Sequence, residues 1–190
     1  MPYRLGMPRN ASPELEIQVA HTAALDASTL GAARALLDQA FAPEMTEQDW
    51  EHGLGGMHAL AWEGEQLVGH GAVVLRRLLH DGRALRTGYI ECVAVRADRR
   101  RRGYGAAIMN ELERIVRGAY ELGALGASEM GAALYVARGW KRWQGQTWTL
   151  SPAGRVRTAH EDGSIYVLEV ASVLDPAGDL TCDWRDGQVW

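Results

Sequence analysis

A chain of 190 residues is long enough to form one domain with a substantial hydrophobic core. Apolar residues make up 47% of it and charged residues 23%, the composition of an ordinary globular protein. The formal net charge of −4 argues against a protein that wraps nucleic acid, and no stretch is apolar enough to predict a membrane span. We therefore expect no nucleic-acid partner and no membrane partner.

The cysteines and the first residues of the sequence indicate in which cellular compartment the protein works. Cys92 and Cys182, the only two cysteines, are too widely separated to predict a disulfide framework or a zinc site. The six histidines show no metal-ligand spacing, so we expect no metal. Residues 1–16 lack the apolar core of a secretory signal, which favours a reduced, cytoplasmic setting. We expect residues 1–15 to be poorly ordered and residues 16–190 to form one domain.

The periodicity of apolar residues predicts a strand, two helices and three further strands in the first half of the chain. These elements are residues 16–20, 28–40, 46–54, 57–62, 67–79 and 85–96. Ser28 is the predicted N-cap of the first helix, and Thr46 with Asp49 resembles a capping box for the second. Only short turns separate the last three strands, so we expect them to form an antiparallel meander.

An amphipathic helix opens the second half, with apolar residues at helical spacing: Ile108, Leu112, Ile115, Val116 and Ala119. Gly123 is its predicted stop. A short strand near Leu125 follows, then a helix over residues 130–138 that Gly139 closes, and strands over residues 142–150 and 165–170. Because no internal repeat or linker interrupts this series, we predict a single α+β domain.

The most informative stretch is the turn between the strand over residues 85–96 and the amphipathic helix. It reads Arg100-Arg101-Arg102-Gly103-Tyr104-Gly105. Glycines let the backbone approach a ligand and direct N–H groups toward it, while the helix start and the arginines add positive charge. The turn therefore predicts a diphosphate site. A solvated basic loop is the plain alternative, and the turn meets neither the Rossmann fingerprint nor the P-loop pattern.

The Arg-x-x-Gly-x-Gly pattern after a buried strand resembles the acyl-CoA-binding motif of the GNAT superfamily of N-acetyltransferases. Four segments resemble those that mark the aminoglycoside 2′-N-acetyltransferases, in the same order along the chain: residues 49–59, 88–91, 117–125 and 181–190. The resemblance extends from about Leu15 to Trp190. It implies the α+β GNAT fold, with a mixed central sheet whose antiparallel N-terminal meander is flanked by helices.

The resemblance also implies a reaction. The acetyl group of acetyl-CoA, the co-substrate, would pass to the 2′-amine of an aminoglycoside by direct attack on the thioester, giving antibiotic resistance. The partner would then be this small molecule, and we also expect a homodimer. An amine attacks only when it is unprotonated, so such a site needs a group that removes a proton and a donor for the developing oxyanion.

Three residues are candidates for this chemistry. Glu91, inside an apolar strand, is the candidate that removes the proton through water, although from the residues alone an outward-facing strand glutamate is an equal alternative. The resemblance favours the catalytic role. The backbone N–H of Val93 is the candidate oxyanion donor. Tyr135 is the candidate acid at the departing thiolate, with a tyrosine packed in the core as its alternative.

The remaining candidates bind the two substrates. The backbone of Val93, Ala94 and Val95 is expected to line the acyl-CoA arm. The turn would hold the diphosphate through Arg100, Arg101, Arg102, Gly103, Tyr104 and Gly105. An aminoglycoside is a polycation, so an acidic pocket is expected beside these groups. The candidates on that side are Glu44, Glu91, Cys92, Gly126, Glu161, Gln188 and Trp190, the last through its terminal carboxylate.

Four positions on the sugar side depart from the family pattern. Glu44 and Glu161 stand where an aspartate is usual, Gly126 where a serine is usual, and Gln188 where another aspartate is usual. The acyl transfer is therefore better supported than the identity of the sugar, and a less cationic, kasugamycin-type sugar is one alternative. Another small amine, a peptide amine or a non-catalytic acyl-CoA sensor are the others. A nucleic-acid patch at the arginines is disfavoured by the acidic net charge.

Overall fold

The computed structural model describes residues 14–190. Four α-helices lie in this part of the chain: α1 (Ala27–Ala40), α2 (Glu47–Gly53), α3 (Tyr104–Ala119) and α4 (Glu129–Val136). Ten strands lie there as well: β1 (Leu15–His21), β2 (Met57–Glu63), β3 (Gln66–His80), β4 (Arg83–Val95), β5 (Leu122–Gly126), β6 (Lys141–Arg142), β7 (Thr147–Ser151), β8 (Gly154–Arg157), β9 (Ile165–Glu169) and β10 (Leu180–Asp183). Of the segment 1–15 that we expect to be poorly ordered, residues 1–13 lie outside the described residues.

The strands form one mixed sheet. Its main order is β6-β9-β5-β4-β3-β10-β7-β8. Outside this order, β2 pairs with β3, and β1 pairs with β2. β2, β3 and β4 pair antiparallel in succession, so the predicted meander is confirmed. β4 and β5 pair in parallel, which makes the sheet mixed, as expected. None of the helices within residues 14–190 combines the length and apolar character needed to cross a bilayer.

The last third of the sheet differs from the sequence prediction. The predicted strand over residues 142–150 is two strands, β6 and β7. It is interrupted because the chain between them packs against the loop that contains Pro176 and Gly178. There the Gly145 N–H donates to the Pro176 carbonyl over 2.9 Å, and a Cβ on Gly145 would lie 1.8 Å from the Gly178 carbonyl oxygen. The sequence prediction lacks β8 and β10, which are four residues each and take their place by pairing with neighbouring strands.

Two helix boundaries also need correction, while a third is confirmed. The N-cap of α1 is Asp26, not Ser28: its carboxylate accepts from the Thr29 N–H (2.7 Å), and the Ser28 hydroxyl donates to it (2.8 Å). Gly123 does not stop α3 but lies inside β5, where a Cβ would come within 3.0 Å of the Val116 and Trp140 side chains. The capping box of Thr46 and Asp49 is present at α2.

Helix α3 packs its apolar face on the meander, and this sets the position of its N-terminus. Ile108 and Leu112 are fully buried there. Two glycines of β3 let the helix approach, since a Cβ on Gly69 would lie 2.7 Å from Ile108 Cδ1 and one on Gly71 would lie 2.8 Å from Leu112 Cδ1. Each buried leucine or isoleucine contributes about 1.5–3 kcal/mol. The helix start, and the basic turn before it, are therefore fixed against the end of β4.

The C-terminal segment, residues 184–190, is fastened to the sheet by one buried arginine. Arg76 on β3 is only 3% exposed. Its guanidinium donates to the Asp183 carboxylate (2.8 Å), the Asp183 carbonyl (2.9 Å) and the Val189 carbonyl (2.7 Å). The Trp190 indole donates to the Thr158 hydroxyl over 2.9 Å. Both ends of this segment are thus hydrogen-bonded to the rest of the protein.

We expect Arg76→Leu to lower the free energy of unfolding by about 2–3 kcal/mol, because hydrogen bonds to a charged group are lost and two carbonyls lose their donor. Amide hydrogen exchange in residues 184–190 should become faster. The matched control is Arg77→Leu, which replaces the exposed neighbouring arginine of the same strand and should change neither quantity. Unchanged stability and exchange in Arg76→Leu would show that this arginine does not hold the segment.

Candidate active site

The site begins where β4 and β5 separate. The two strands are in register only over Thr87–Tyr89 of β4, which pair with Leu122, Gly123 and Ala124 of β5. β4 then continues to Val95, whereas β5 ends at Gly126. The backbone beyond residue 89 on this side of β4 therefore faces a gap. An extended ligand can enter such a gap and pair with the strand edge that it exposes.

A bulge in β4 lies at this gap. The pairing of β3 with β4 shifts register between His70↔Ala94 and Ala72↔Glu91, which leaves one extra residue on β4. Cys92 has a φ of 54°, in the left-handed region that non-glycine residues seldom adopt. Its thiol donates to the Asp49 carbonyl (3.4 Å), and burial raises the pKa of that thiol to about 12. Cys92 is therefore an unreactive cysteine with a structural role.

Two fully buried histidines support the bulge from the other side of β4. The Nδ1 of His70 lies 3.0 Å from the Cys92 carbonyl oxygen, and the Nε2 of His70 lies 2.9 Å from the Nδ1 of His58. The Nε2 of His58 in turn lies 2.7 Å from the Thr22 hydroxyl. Burial lowers the pKa of both histidines to about 4, so both rings are neutral at pH 7.

The basic turn follows directly on β4. Gly103 is the N-cap of α3 with a φ of 84°, and Arg101 also has a positive φ of 63°. Residues 100–103 are exposed, and nothing lies within 4 Å of where a Cβ on Gly103 would be. Arg100 is tied back to the strand, since its Nε donates to the Val95 carbonyl over 3.2 Å. The turn thus presents open backbone and exposed guanidinium groups at the start of a helix.

Tyr104 has a different role from the rest of the turn. Its hydroxyl donates to the buried Glu63 carboxylate on β2, which also accepts from Arg99 (2.7 Å). These two hydrogen bonds hold the pKa of Glu63 below its ordinary value. A Cβ on Gly105 would make only ordinary contacts, 3.6 Å from Leu134 Cδ2. Tyr104 therefore anchors the start of α3, while Gly103 and Arg100, Arg101 and Arg102 are exposed.

One cavity of about 420 Å³ lies beside the gap. It brings together the candidate catalytic residues and all of the candidates expected on the sugar side: Glu44, Glu91, Cys92, Val93, Gly126, Tyr135, Glu161, Gln188 and Trp190. These residues come from six separate parts of the chain, between Glu44 and the C-terminus. Ala94, Val95 and the basic turn do not line this cavity but continue from Val93 along the same strand, so the two regions are joined by residues 93–95.

The cavity is acidic. Glu44, Asp49, Glu91 and Glu161 line it, as does Trp190, the last residue of the sequence. Two of the acids already have partners: Asp49 completes the cap of α2, and Glu161, buried, accepts from the Ser164 hydroxyl over 2.8 Å. The excess of negative charge favours a cationic ligand. Within residues 14–190, no group of three or more histidine, cysteine or carboxylate side chains is placed to hold a metal ion.

Glu91 is paired with an arginine that the sequence analysis missed. Arg185, in the C-terminal segment, donates to the Glu91 carboxylate, and the two side chains are 15% and 13% exposed. The Arg185 Nε donates to the Gln188 carbonyl (2.9 Å), and its guanidinium lies 5.5 Å from the centre of the Tyr89 ring. No local pattern could have revealed this pair, because its members are 94 residues apart.

Two tyrosines face the cavity with different surroundings. Tyr135 on α4 packs against Trp140 and Tyr166, and burial raises its pKa to about 12. It is therefore protonated at pH 7 and can donate. Tyr89 is fully buried, with the guanidinium of Arg76 4.7 Å from its ring centre, and its hydroxyl has no hydrogen-bond partner within residues 14–190. The sequence analysis did not single out Tyr89, because its surroundings depend on Arg76 and Arg185, which are distant from it in the sequence.

Comparison with known proteins agrees with this geometry. Residues 22–142 match a family described as an acetyltransferase (GNAT) domain. The fold resembles Escherichia coli YhbS, a GNAT N-acetyltransferase solved in complex with CoA, at a TM-score of 0.63 and 15% identity over 91% of this chain and 92% of that one. It also resembles a GNAT acetyltransferase of Brucella melitensis solved with acetyl-CoA, at a TM-score of 0.60 and 16% identity over 88% of this chain and 95% of that one.

The fold, the splayed strands and the basic turn thus define a GNAT acetyltransferase. A sequence relative narrows the assignment: the chain is 47% identical over 177 residues to an aminoglycoside 2′-N-acetyltransferase of Mycolicibacterium fortuitum, covering 91% of each. The chain belongs to the family of aminoglycoside 2′-N-acetyltransferases. The expected fold and family are therefore confirmed.

The buried histidines predict a specific dependence of stability on pH. Their folded-state pKa is about 4, against 6.5 ordinarily, so below pH 6.5 the unfolded chain binds protons that the folded chain does not. We expect the free energy of unfolding to fall from pH 6.5 to 4, by up to about 1.4 kcal/mol per pH unit for each histidine. Urea unfolding across this range measures the slope. His58→Asn should reduce it, and a wild-type stability that is constant from pH 6.5 to 4 would contradict the buried neutral pair.

Proposed function

We propose that the protein transfers the acetyl group of acetyl-CoA to the 2′-amine of an aminoglycoside. The observation that carries the proposal is that one acidic cavity, where β4 and β5 separate, is lined by Glu91, Cys92, Val93 and Tyr135 together. A gap of this kind accepts the pantetheine arm along residues 93–95, and the basic turn at its end accepts the diphosphate. The residues present therefore fit acetyl-CoA, which when bound supplies an activated acetyl thioester.

Each candidate then has a distinct role. Glu91 accepts a proton from the substrate ammonium through a water molecule, which frees the amine lone pair for attack. The Val93 N–H donates to the carbonyl oxygen as it gains negative charge. Tyr135 donates to the departing sulfur, and its raised pKa keeps the phenol protonated at working pH. The ammonium therefore loses two protons in all: the first goes to Glu91 before the attack, and the second leaves the nitrogen as the new C–N bond replaces the C–S bond. The second proton balances the one that Tyr135 gives to the sulfur, so CoA leaves as the thiol and the phenol is restored.

The charge of the cavity supports a polyamine as acceptor. Glu44 and Glu161 line the same cavity as Glu91, and each carboxylate can hold a substrate ammonium. We expect the terminal carboxylate of Trp190 to add a further negative charge, because Trp190 lines the cavity and Thr158 holds its indole. Arg185 is already paired with Glu91, so its guanidinium competes with the substrate ammonium for the charge of that carboxylate.

A second acceptor is favoured by two observations. Arg185 adds one positive charge to the cavity, and Gln188 contributes none where the family usually has an aspartate. Gly126 provides no hydroxyl, and a Cβ there would lie 3.7 Å from the unpartnered hydroxyl of Tyr89. These features support a less cationic sugar, such as a kasugamycin-type one, over the polyamines of the kanamycin type.

The proposal is tested by release of CoA thiol from acetyl-CoA with a panel of amines: tobramycin, gentamicin, kasugamycin, a lysine peptide and spermidine. Turnover with an aminoglycoside, with the acetyl located on its 2′-nitrogen by NMR, supports the proposal. Turnover with kasugamycin alone supports the second acceptor. Activity only toward the peptide or spermidine would assign another GNAT acceptor, and binding of acetyl-CoA without any turnover would indicate an acyl-CoA sensor.

Glu91→Gln should lower kcat/KM mainly at low pH, with a smaller loss at high pH. At low pH the amine is protonated and needs a base, whereas at high pH it is already neutral. General-base catalysis contributes a factor of about 10²–10⁴, which sets the size of the low-pH loss. The measurement is a pH profile of kcat/KM for both enzymes. A uniform loss at every pH would mean that Glu91 only binds the substrate.

Gly103→Asp should abolish acetyl-CoA binding in calorimetry while the protein remains folded. The new side chain would impose strain at a φ of 84°, obstruct the exposed backbone and repel the diphosphate. The matched control is Gly82→Asp in the β3–β4 turn, where φ is 73° and the space is equally open. It should show the same strain with normal binding. Unchanged acetyl-CoA affinity in Gly103→Asp would overturn the assignment of the turn.

We further propose that residues 16–190 form the acetyltransferase domain, that the protein works in the cytoplasm and confers antibiotic resistance, and that it is a homodimer. The free thiols of Cys92 and Cys182 suit a reducing compartment. Large exposed apolar side chains, Leu75, Val136 and Val173 among them, support an interface that would cover them. Sedimentation at micromolar concentration distinguishes a dimer from a monomer.

A further inference from the structure

The buried histidines form part of a chain of hydrogen bonds with a fixed direction. A carbonyl oxygen can only accept, so the Nδ1 of His70 must carry the hydrogen that bonds the Cys92 carbonyl over 3.0 Å. The Nε2 of neutral His70 is then an acceptor, and the Nδ1 of His58 must donate to it over 2.9 Å. The Nε2 of neutral His58 is then an acceptor too, so the single hydrogen of the Thr22 hydroxyl is directed to it over 2.7 Å rather than to the Gly56 carbonyl, which lies 3.2 Å from the same oxygen.

The chain continues one step further and ends in a turn. The Thr22 oxygen accepts from the Gly55 N–H over 2.9 Å, at the turn that joins α2 to β2. Four hydrogen bonds therefore donate in one direction, from Gly55 to the Cys92 carbonyl. Hydrogen bonds in such a series polarise one another, so the last one is strengthened by those before it.

The atom on which the chain ends belongs to the same peptide as the proposed oxyanion donor. The Cys92 carbonyl and the Val93 N–H form one planar unit, with the two bonds pointing in opposite directions. Fixing the carbonyl toward His70 therefore fixes the N–H toward the side of β4 where the cavity lies. A hydrogen bond to the carbonyl also polarises the peptide and makes its N–H a stronger donor.

We propose that His58 and His70 are positioning residues for catalysis, which hold the 92–93 peptide so that the Val93 N–H faces the thioester oxygen. The proposal rests on the proposed function, because it takes this N–H as the oxyanion donor. The bulge needs such support, because Cys92 has a φ of 54°, a conformation that persists only when its surroundings hold it. Two imidazoles that are fully buried in a core otherwise rich in apolar side chains provide that support.

Two substitutions at one position separate the hydrogen bond from the packing. His70→Leu removes the donor to Cys92 and keeps an apolar side chain of similar size. His70→Asn keeps a donor near the place of Nδ1, although it leaves a small void. We expect His70→Leu to lower kcat by about 10–100-fold, the range seen when a supporting partner of a catalytic group is lost. His70→Asn should recover most of that loss.

The acetyl-CoA affinity of the folded variants should change little, because an oxyanion donor acts on the transition state. The assay uses whichever aminoglycoside the wild type acetylates fastest, with rates corrected for the folded fraction. Wild-type kcat in folded His70→Leu, or an equal loss in the leucine and asparagine variants, would overturn the proposal. A wild type that acetylates no aminoglycoside would instead refute the proposed function.

A measurement on the unmodified protein keeps the proposal testable if His70→Leu does not fold. Nitrogen-15 NMR of the histidine rings at pH 7 should find His58 and His70 neutral, each with its hydrogen on Nδ1.

A second variant tests the other end of the chain of hydrogen bonds. Thr22→Val, which removes the half-buried hydroxyl there, should lower kcat less than His70→Leu does. A hydrogen on Nε2 of His70 would overturn the proposal, as would full kcat in Thr22→Val with unchanged ring signals.

Discussion

The backbone of β4 at Cys92 carries a constraint on which both halves of the site depend. A positive φ at a non-glycine residue is unfavourable by about 1–3 kcal/mol unless its neighbours impose it. Here the Cys92 carbonyl is held by His70 and the thiol by the Asp49 carbonyl, so the strand is fixed from β3 and from α2 together. The bulge directs Glu91 and Val93 into the cavity, and beyond it residues 93–95 are left open for a ligand.

The C-terminal segment completes the site from the other side. Arg76 fastens it, and the segment in turn places Arg185 against Glu91 and Trp190 in the lining of the cavity. Because Arg185 pairs with Glu91, this carboxylate is not buried without a partner, which would be strongly unfavourable. The same arginine reduces the attraction for polyamines. One ion pair therefore affects both the stability of the site and its net charge.

The sequence predicted what depends on local pattern and composition. Apolar runs separated by short turns were enough to predict the meander. The helical spacing of apolar residues predicted α3, and the capping box predicted the start of α2. It failed where partners are distant: β10 is a strand because β3 and β7 pair with it, and Arg185 matters because Glu91 lies 94 residues away. The two buried histidines carried no signal either, since isolated histidines in a sequence are more often surface groups. The family resemblance indicated Glu91 and Tyr135, but not what surrounds them.

The central claim is that the gap between β4 and β5 receives acetyl-CoA, with the 92–93 peptide at the thioester. A crystal structure of the complex with acetyl-CoA tests it most directly. The account predicts the pantetheine arm along residues 93–95, the diphosphate at the backbone of Gly103, and the thioester oxygen about 3 Å from the Val93 nitrogen. A thioester whose oxygen is bound by another donor, or a diphosphate away from the basic turn, would contradict it.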